Sequence, residues 1–355
     1  MGIFDLMERY GHEQVVFCYD RATGLKAIIG IHDTSLGPAL GGVRLWPYQT
    51  EEEALRDVLR LSQGMTYKNA AMGLDLGGGK AVIWAEPGAA NREALMRAFG
   101  RFVQTLGGRY VAAEDVNTTV ADMAAVAAET PHVAGRAEGS GDPSPVTAYG
   151  VFHGMRAAAR WAFGSDDLQG RTVAVQGLGK VGYRLCEHLH RAGARLIVTD
   201  TDAGRVQQAA EAFGAQAMDP ERIYDAECDI FSPCALGSVV NDRTVERFRC
   251  RVIAGSANNQ LQEPHHGDRL QERGILYAPD FIINGGGVIN AAEELRPGGY
   301  RRERALVQVE RIYDLLLAVF RTAQEQGIST ARAAEQISEE RIALLRQVRR
   351  IFAPR

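Results

Sequence analysis

Gly77-Gly78-Gly79-Lys80 ends a glycine run on a lysine and continues into the apolar Ala81-Val82-Ile83-Trp84. Lys68 also has largely apolar neighbours, following Met65-Thr66-Tyr67. A lysine poised nearer neutrality by such surroundings can take and return a proton, and a second that stays charged can hold a small carboxylate. Asp115, just after Ala112-Ala113-Glu114, is a third group placed to join them. Taken singly, each also has an ordinary reading. Lysines snorkel out of apolar stretches, and an aspartate commonly sits where a helix begins. The glycine-lysine segment is not a P-loop, because it lacks the four-residue spacer and a following Ser or Thr. No G-x-S-x-G nucleophile motif occurs.

A second glycine cluster does a different job. Gly177-Leu178-Gly179-Lys180-Val181-Gly182 directly follows the apolar strand candidate Thr172 to Gln176 and opens an amphipathic segment. In a dinucleotide fingerprint the first glycine permits the tight turn. The second lets a pyrophosphate approach the backbone, and the third lets helix and strand pack closely. Asp200 closes the next strand candidate, where a carboxylate would accept from both ribose hydroxyls and repel a 2′-phosphate. NAD is therefore expected rather than NADP, with Arg205 the one nearby basic residue. Small-residue loops around Ala235 and Asn259 follow later strand candidates, where doubly wound sheets bind ligands.

The elements that must position these groups can be read in outline. Ile3 to Tyr10 reads as a helix, and Gln14 to Tyr19 and Leu25 to Ile31 as an antiparallel pair turning at Arg21 to Gly24. Gly37 to Gly42 reads as a loop. Thr50 and Glu53 have capping-box spacing, and a stripe from Ala54 to Met65 forms a helix delivering Lys68 near its end. Glu93 to Leu106 reads as a helix, and Tyr110 to Ala113 as a strand before a helix capped by Thr119 and Asp122. The Gly/Pro-rich stretch Gly135 to Pro145 marks a domain boundary. Beyond it the rhythm is that of βα units, with a long helix through Val307 to Val319 and a terminal one over Ala331 to Ile351. The fold class is α/β in two domains. An N-terminal α/β substrate domain with a mixed sheet spans residues 1–135, with 328–355 packing back onto it. A doubly wound Rossmann-type NAD domain spans 136–327.

A net charge of -4 gives no electrostatic reason to bind nucleic acid or an anionic membrane. Arg301-Arg302 and Arg346, Arg349 and Arg350 are local basic clusters that read as solvated helix surface. Five cysteines without a CxxC pair or a secretory signal point to a reduced, cytoplasmic protein, with no zinc site and no metal expected. No apolar run approaches the roughly 20 residues needed to span a bilayer.

At the level of whole segments, the chain resembles the glutamate/leucine/phenylalanine/valine dehydrogenase family, and within it the leucine dehydrogenase branch. The resemblance lies in IHDTSLGPALGG (Ile31 to Gly42), GMTYKNA (Gly64 to Ala70), LGGGK (Leu76 to Lys80) and EDVNTT (Glu114 to Thr119). It continues through VQGLGKVG (Val175 to Gly182), CDIFSPCALG (Cys228 to Gly237), GSANNQL (Gly255 to Leu261) and APDFIINGGGVIN (Ala278 to Asn290).

The resemblance implies reversible oxidative deamination of an L-amino acid to a 2-oxo acid and ammonia, with NAD taking the hydride. It makes Lys80 the catalytic lysine, Asp115 its partner in proton transfer, and Lys68 the binder of the substrate carboxylate. Cofactor contacts would come from Thr147, Gly177, Leu178, Gly179, Lys180, Val181, Gly182, Asp200, Ala235 and Asn259. Leu40, Gly41, Ala113, Val288 and Ala291 would line the side-chain pocket. The glutamate-specific branch has a lysine where Leu40 stands, so a second substrate carboxylate would be buried unpaired here. Branched-chain substrates, chiefly L-leucine, are expected. Ala291 stands where leucine enzymes tend to carry valine, which leaves phenylalanine as the alternative substrate. The family also implies a homo-oligomer, an octamer or a dimer. A catalytically silent NAD-binding regulator and a structural assembly protein are readings from other classes, and an NADH absorbance assay separates them from an enzyme.

Overall fold

A computed structural model describes residues 2–347. The described residues divide into two compact units: those up to Asp142 with 290–302 and 338–347, and residues 143–289 with 303–337.

The first unit contains α1 (Ile3–Tyr10), β1 (Gln14–Asp20), β2 (Leu25–Asp33), β3 (Ala39–Trp46) and α2 (Glu51–Ala71). It continues through β4 (Gly77–Trp84), α3 (Arg92–Thr105), β5 (Tyr110–Glu114) and α4 (Val120–Ala127). The sheet order is β1-β2-β4-β3-β5, antiparallel across β1, β2 and β4 and parallel across β4, β3 and β5. Side chains alternate between its faces, as strand geometry demands. Ile28 and Val82 pack under Leu55, Val58 and Leu59 of α2. Their neighbours Ile29, Ala81 and Ile83 join Met96, Phe99, Val103, Met123 and Val126 of α3 and α4 on the other face. The sheet is thus covered on both sides, and each fully buried large side chain contributes about 1.5–3 kcal/mol.

The start of α2 follows its sequence signal with one change. Thr50 accepts from the Glu53 amide at 3.1 Å, but the Glu53 carboxylate accepts from the Gln49 amide at 2.8 Å instead of closing the reciprocal box. A larger correction concerns Gly37 to Gly42, where Ala39 onward belongs to β3 and not to a loop. Paired glycines normally weaken a strand. Here they are needed, because a β-carbon on Gly41 would overlap the Gly79 carbonyl and one on Gly42 would lie 2.6 Å from the Asp115 β-carbon.

The second unit and the remaining chain contain α5 (Ser144–Phe163), β6 (Thr172–Gln176), α6 (Lys180–Arg191), β7 (Arg195–Thr199), α7 (Ala203–Phe213), β8 (Gln216–Ala217), β9 (Ile230–Pro233) and β10 (Val252–Ile253). Then follow α8 (His265–Glu272), β11 (Leu276–Tyr277), α9 (Asp280–Ile283), α10 (Gly286–Glu293), α11 (Arg302–Glu310), α12 (Ile312–Gln326) and α13 (Thr330–Arg346). The sheet is wholly parallel, in the order β11-β10-β9-β6-β7-β8. Strand order reverses between β6 and β9, the switch point at which doubly wound sheets bind ligands.

Two elements differ from the sequence reading. The two-residue β8 is exposed and too short to show periodicity, and the long helix through Val307 is broken at Arg311 into α11 and α12. The end of α13 packs within the first unit. Ile342 meets Leu36 and Ala70, Arg341 pairs with Asp75 at 3.1 Å, and Arg346 pairs with buried Asp33. Arg349, Arg350 and the expected extension of the helix to Ile351 lie outside the described residues. No helix among the described residues is long and apolar enough to cross a membrane.

Candidate active site

Lys80 lies on β4 and is 5% exposed, and its Nζ donates to Asp115 Oδ1 at 2.7 Å. Asp115 follows the last residue of β5, and β3 runs between the two strands. The other carboxylate oxygen of Asp115 accepts from Arg44 Nε at 3.2 Å. Arg44 also reaches Asp57 of α2 at 3.0 Å, and the Tyr48 hydroxyl donates to the same Asp57 oxygen at 2.6 Å. Burial would raise the Asp115 carboxyl, but Lys80 and Arg44 more than offset that and hold it at about 2. Burial and the Asp57 carboxylate push the Tyr48 hydroxyl well up.

The turn after β5 is built to hold that carboxylate. The Asp115 amide donates to Thr118 Oγ1 at 2.8 Å, and that hydroxyl donates to the Val43 carbonyl at 2.9 Å. Asn117 takes a positive φ of 59° and donates from Nδ2 to the Leu45 carbonyl at 3.1 Å. Arg44, Tyr48, Asp57 and Thr118 were not legible as site residues. The available signal was Arg44 itself, a charge between Val43 and Leu45 in a buried strand, which requires a partner.

Lys68 sits in the last turn of α2, half-buried. Its neighbours fix that turn against the sheet. Thr66 Oγ1 lies 2.8 Å from His32 Nδ1, and Asn69 Nδ2 donates to the Gly77 carbonyl at 2.6 Å. His32 Nε2 in turn meets the Tyr10 carbonyl at 2.9 Å. Of the expected pocket residues, Leu40 is buried on β3 opposite Gly78 and Val111, and Gly41 stands opposite Ala112. Ala113 stands opposite Gly42 on β5. Ala291, on α10, falls in the first unit, whereas Val288 falls in the second.

The residues of the second unit fit a dinucleotide. Gly177 has φ 97°, and a β-carbon there would lie 2.7 Å from that of Ala235. A β-carbon on Gly182 would overlap the Gly177 carbonyl, whereas at Gly179 the space is open. Gly179 caps α6 without any side chain, which leaves the helix's first amides to an anion. Leu178 is buried, while Lys180 and Val181 form the first turn. Asp200 Oδ2 accepts from the Leu178 amide at 2.6 Å, and Arg205 lies 3.9 Å away. The loop that carries Ala235 meets that of Asn259, through a Ser238 amide donating to the Asn259 carbonyl at 2.7 Å. Thr147 donates to the Pro143 carbonyl in the first turn of α5, beside Gly287.

Two family models match the chain. One, described as Glu/Leu/Phe/Val dehydrogenase, dimerisation domain, covers residues 12–132. The other, Glutamate/Leucine/Phenylalanine/Valine dehydrogenase, covers 139–210 and 198–350. The chain belongs to this dehydrogenase family. It is accordingly an amino-acid dehydrogenase, and its parallel sheet is the family's NAD-binding fold. It is 58% identical to a leucine dehydrogenase of Thermoactinomyces intermedius, across 99% of this chain and 96% of that one. It is 50% identical to a phenylalanine dehydrogenase of the same organism, across the same shares of each. The crystal structure of L-tryptophan dehydrogenase from Nostoc punctiforme matches with a TM-score of 0.84 at 46% identity, covering 97% of this chain and 99% of that one.

Proposed function

We propose that this enzyme deaminates branched-chain L-amino acids, chiefly L-leucine, to 2-oxo acids and ammonia, reversibly and with NAD. The observation that carries the reading is Leu40, 1% exposed on the strand beside Lys80. An aliphatic side chain there accepts an aliphatic substrate and gives a distal carboxylate no partner. Identity to leucine dehydrogenases supports it. Ala291 favours phenylalanine as the second reading, because a small side chain leaves room for a larger substrate.

Lys68 holds the substrate carboxylate, and the backbone near Gly41 fixes Cα in orientation. NAD, when bound, would supply the acceptor for the hydride, which leaves Cα once the substrate ammonium has given up a proton. Lys80 Nζ, as the neutral amine, takes a proton from the water that attacks the iminium carbon and returns it to the substrate nitrogen. With Asp115 assisting, Lys80 then takes the hydroxyl proton as the carbonyl forms and ammonia leaves. Asp115, held anionic by Lys80 and Arg44, keeps the Lys80 ammonium in place between transfers. Residues 1–135 with 328–355 serve the amino acid, and 136–327 the dinucleotide. Thr147, Gly177 to Gly182, Asp200, Ala235 and Asn259 contact NAD, and Val288 and Ala291 complete the side-chain pocket. The protein works in the cytoplasm as a homo-oligomer, with an octamer as the expected assembly.

An amino-acid panel followed at the NADH absorbance band tests the substrate. Leucine, valine and isoleucine should support turnover and glutamate almost none. A preference for glutamate would overturn the reading, and one for phenylalanine would transfer it to the alternative.

A further inference from the structure

Within the second unit, Asp242, His265 and His266 bring together ligand atoms that all lie within 4.8 Å of one another. Asp242 belongs to the chain between β9 and β10, and the two histidines open α8. His266 Nε2 lies 3.1 Å from Asp242 Oδ1, and His265 Nε2 lies 3.9 Å from the same oxygen. Ligands about 2.0–2.1 Å from a tetrahedral ion stand about 3.3 Å apart, so these separations bracket the edge of such a polyhedron.

His266 supplies the independent observation. Its ring is 1% exposed, so it is held in place rather than free at the surface. Its Nδ1 lies 3.1 Å from both the amide nitrogen and the carbonyl oxygen of Glu263. With Nε2 protonated, Nδ1 accepts from that amide and Nε2 donates to Asp242. With Nδ1 protonated, the ring donates to the Glu263 carbonyl and presents a bare Nε2 toward Asp242. That second arrangement is how a metal-binding imidazole is oriented by its outer partner. It also sets two lone pairs face to face unless a cation lies between them. Asp242 supplies the negative charge that offsets the positive end of α8.

We propose that Asp242, His265 and His266 form a site for a borderline divalent transition ion of the zinc type, with water completing its coordination. Two imidazoles and one carboxylate suit such an ion better than calcium or magnesium, which prefer oxygen. The ion would tie the chain after β9 to α8. Those segments are already joined by the Val240 and Leu261 bridge and carry the Ala235 and Asn259 loops. A bound ion would therefore stiffen the loops beside the dinucleotide turn without taking part in hydride transfer.

Tag-free enzyme, stripped with a chelator, is titrated with zinc by calorimetry and with cobalt by visible absorbance. One zinc per chain should bind, and cobalt should give a tetrahedral-type band that zinc removes. Asp242→Ala and His265→Ala change exposed side chains, so the fold survives, as circular dichroism will verify. Each should weaken zinc at least about tenfold, abolish the zinc-induced rise in Tm, and leave turnover without metal unchanged. No saturation at millimolar zinc, or equal affinity in wild type and both variants, overturns the proposal.

Discussion

Lys80 and Asp115 form a 2.7 Å ion pair across an intervening strand, because β3 lies between β4 and β5. Neighbouring strands stand about 4.8 Å apart, so the pair bridges two spacings and fixes the lysine ammonium, the proposed proton-transfer group, where neither strand could place it unaided. Replacing Lys80 by alanine is expected to lower kcat by at least about a hundredfold. Dinucleotide affinity should stay unchanged, since the glycine fingerprint belongs to the other unit. Steady-state kinetics beside a cofactor titration read the two effects separately. Near-normal turnover would remove Lys80 from proton transfer.

The space under that bridge is kept by a glycine. Val43 faces Ala81, the residue after Lys80, and Gly42 faces Ala113, two residues before Asp115, so Gly42 lies between the strands that carry the pair. A methyl group at Gly42 would come 2.6 Å from the Asp115 β-carbon. Gly42→Ala should therefore push Asp115 off Lys80 and lower kcat by about tenfold or more, a loss that small displacements of a reacting group can produce. An alanine variant with wild-type kcat would mean that the turn after β5 yields without cost.

Arg44 is a positioning residue for Asp115. It spans Asp115 and Asp57 with two different nitrogens, a geometry that lysine's single ammonium cannot copy. Arg44→Lys should reduce kcat about tenfold while the KM for the amino acid changes little. It should also shift the acid limb of the pH–rate profile upward, because a positive charge that helps hold Asp115 at about 2 is displaced. Asp57→Asn should give a smaller change of the same sign. A drop in thermal stability with an unmoved pH profile would reduce Arg44 to a structural role.

The sequence disclosed the candidate groups for chemistry better than it disclosed what holds them. Lys68, Lys80 and the Gly177 to Gly182 turn stood out because charge or glycine interrupts apolar periodicity there. The strand β3 did not, because Gly41 and Gly42 carry no side chains to alternate and so read as a loop. Their purpose is visible only once Gly79 and Asp115 are placed against them. Arg44, Asp57 and Tyr48 act through contacts between segments brought together by folding, and no local pattern encodes such contacts.

Two buried histidines make the first unit sensitive to acid. Burial lowers His12 to about 3 and His32 to about 4, and their rings meet edge to face at 4.8 Å. The unfolded chain protonates both near 6.5, and the folded chain does not until pH falls to their lowered values. Unfolded protein therefore binds more protons in that window, and stability falls as pH drops from about 6.5 toward 4. Two such groups give a slope of up to about 2.7 kcal/mol per pH unit. His12→Gln should remove up to half of it, which urea unfolding at pH 7, 6 and 5 would detect. Equal slopes in both proteins would show that other groups dominate acid unfolding.

Asp200 is tied to the shape of the glycine turn, and the proposed function gives it the choice of cofactor as well. One of its oxygens accepts from the Leu178 amide at 2.6 Å and the other from the Asp202 amide at 2.9 Å, and Arg205 stands 3.9 Å away. The carboxylate orders the turn, and on the proposed reading it also sets negative charge where a 2′-phosphate would lie. Asp200→Asn keeps an acceptor for Leu178 but removes the charge, and leaves Arg205 free to meet a phosphate. NAD affinity should weaken by about tenfold, the value of a charge-assisted hydrogen bond. The ratio of kcat/KM for NADP to that for NAD should rise by more than that factor, because repulsion is relieved as well. Asp200→Ser shortens the side chain and should disturb the turn further, lowering both efficiencies while raising the same ratio. If neither variant moves the ratio, Asp200 serves the turn only and cofactor choice is made elsewhere.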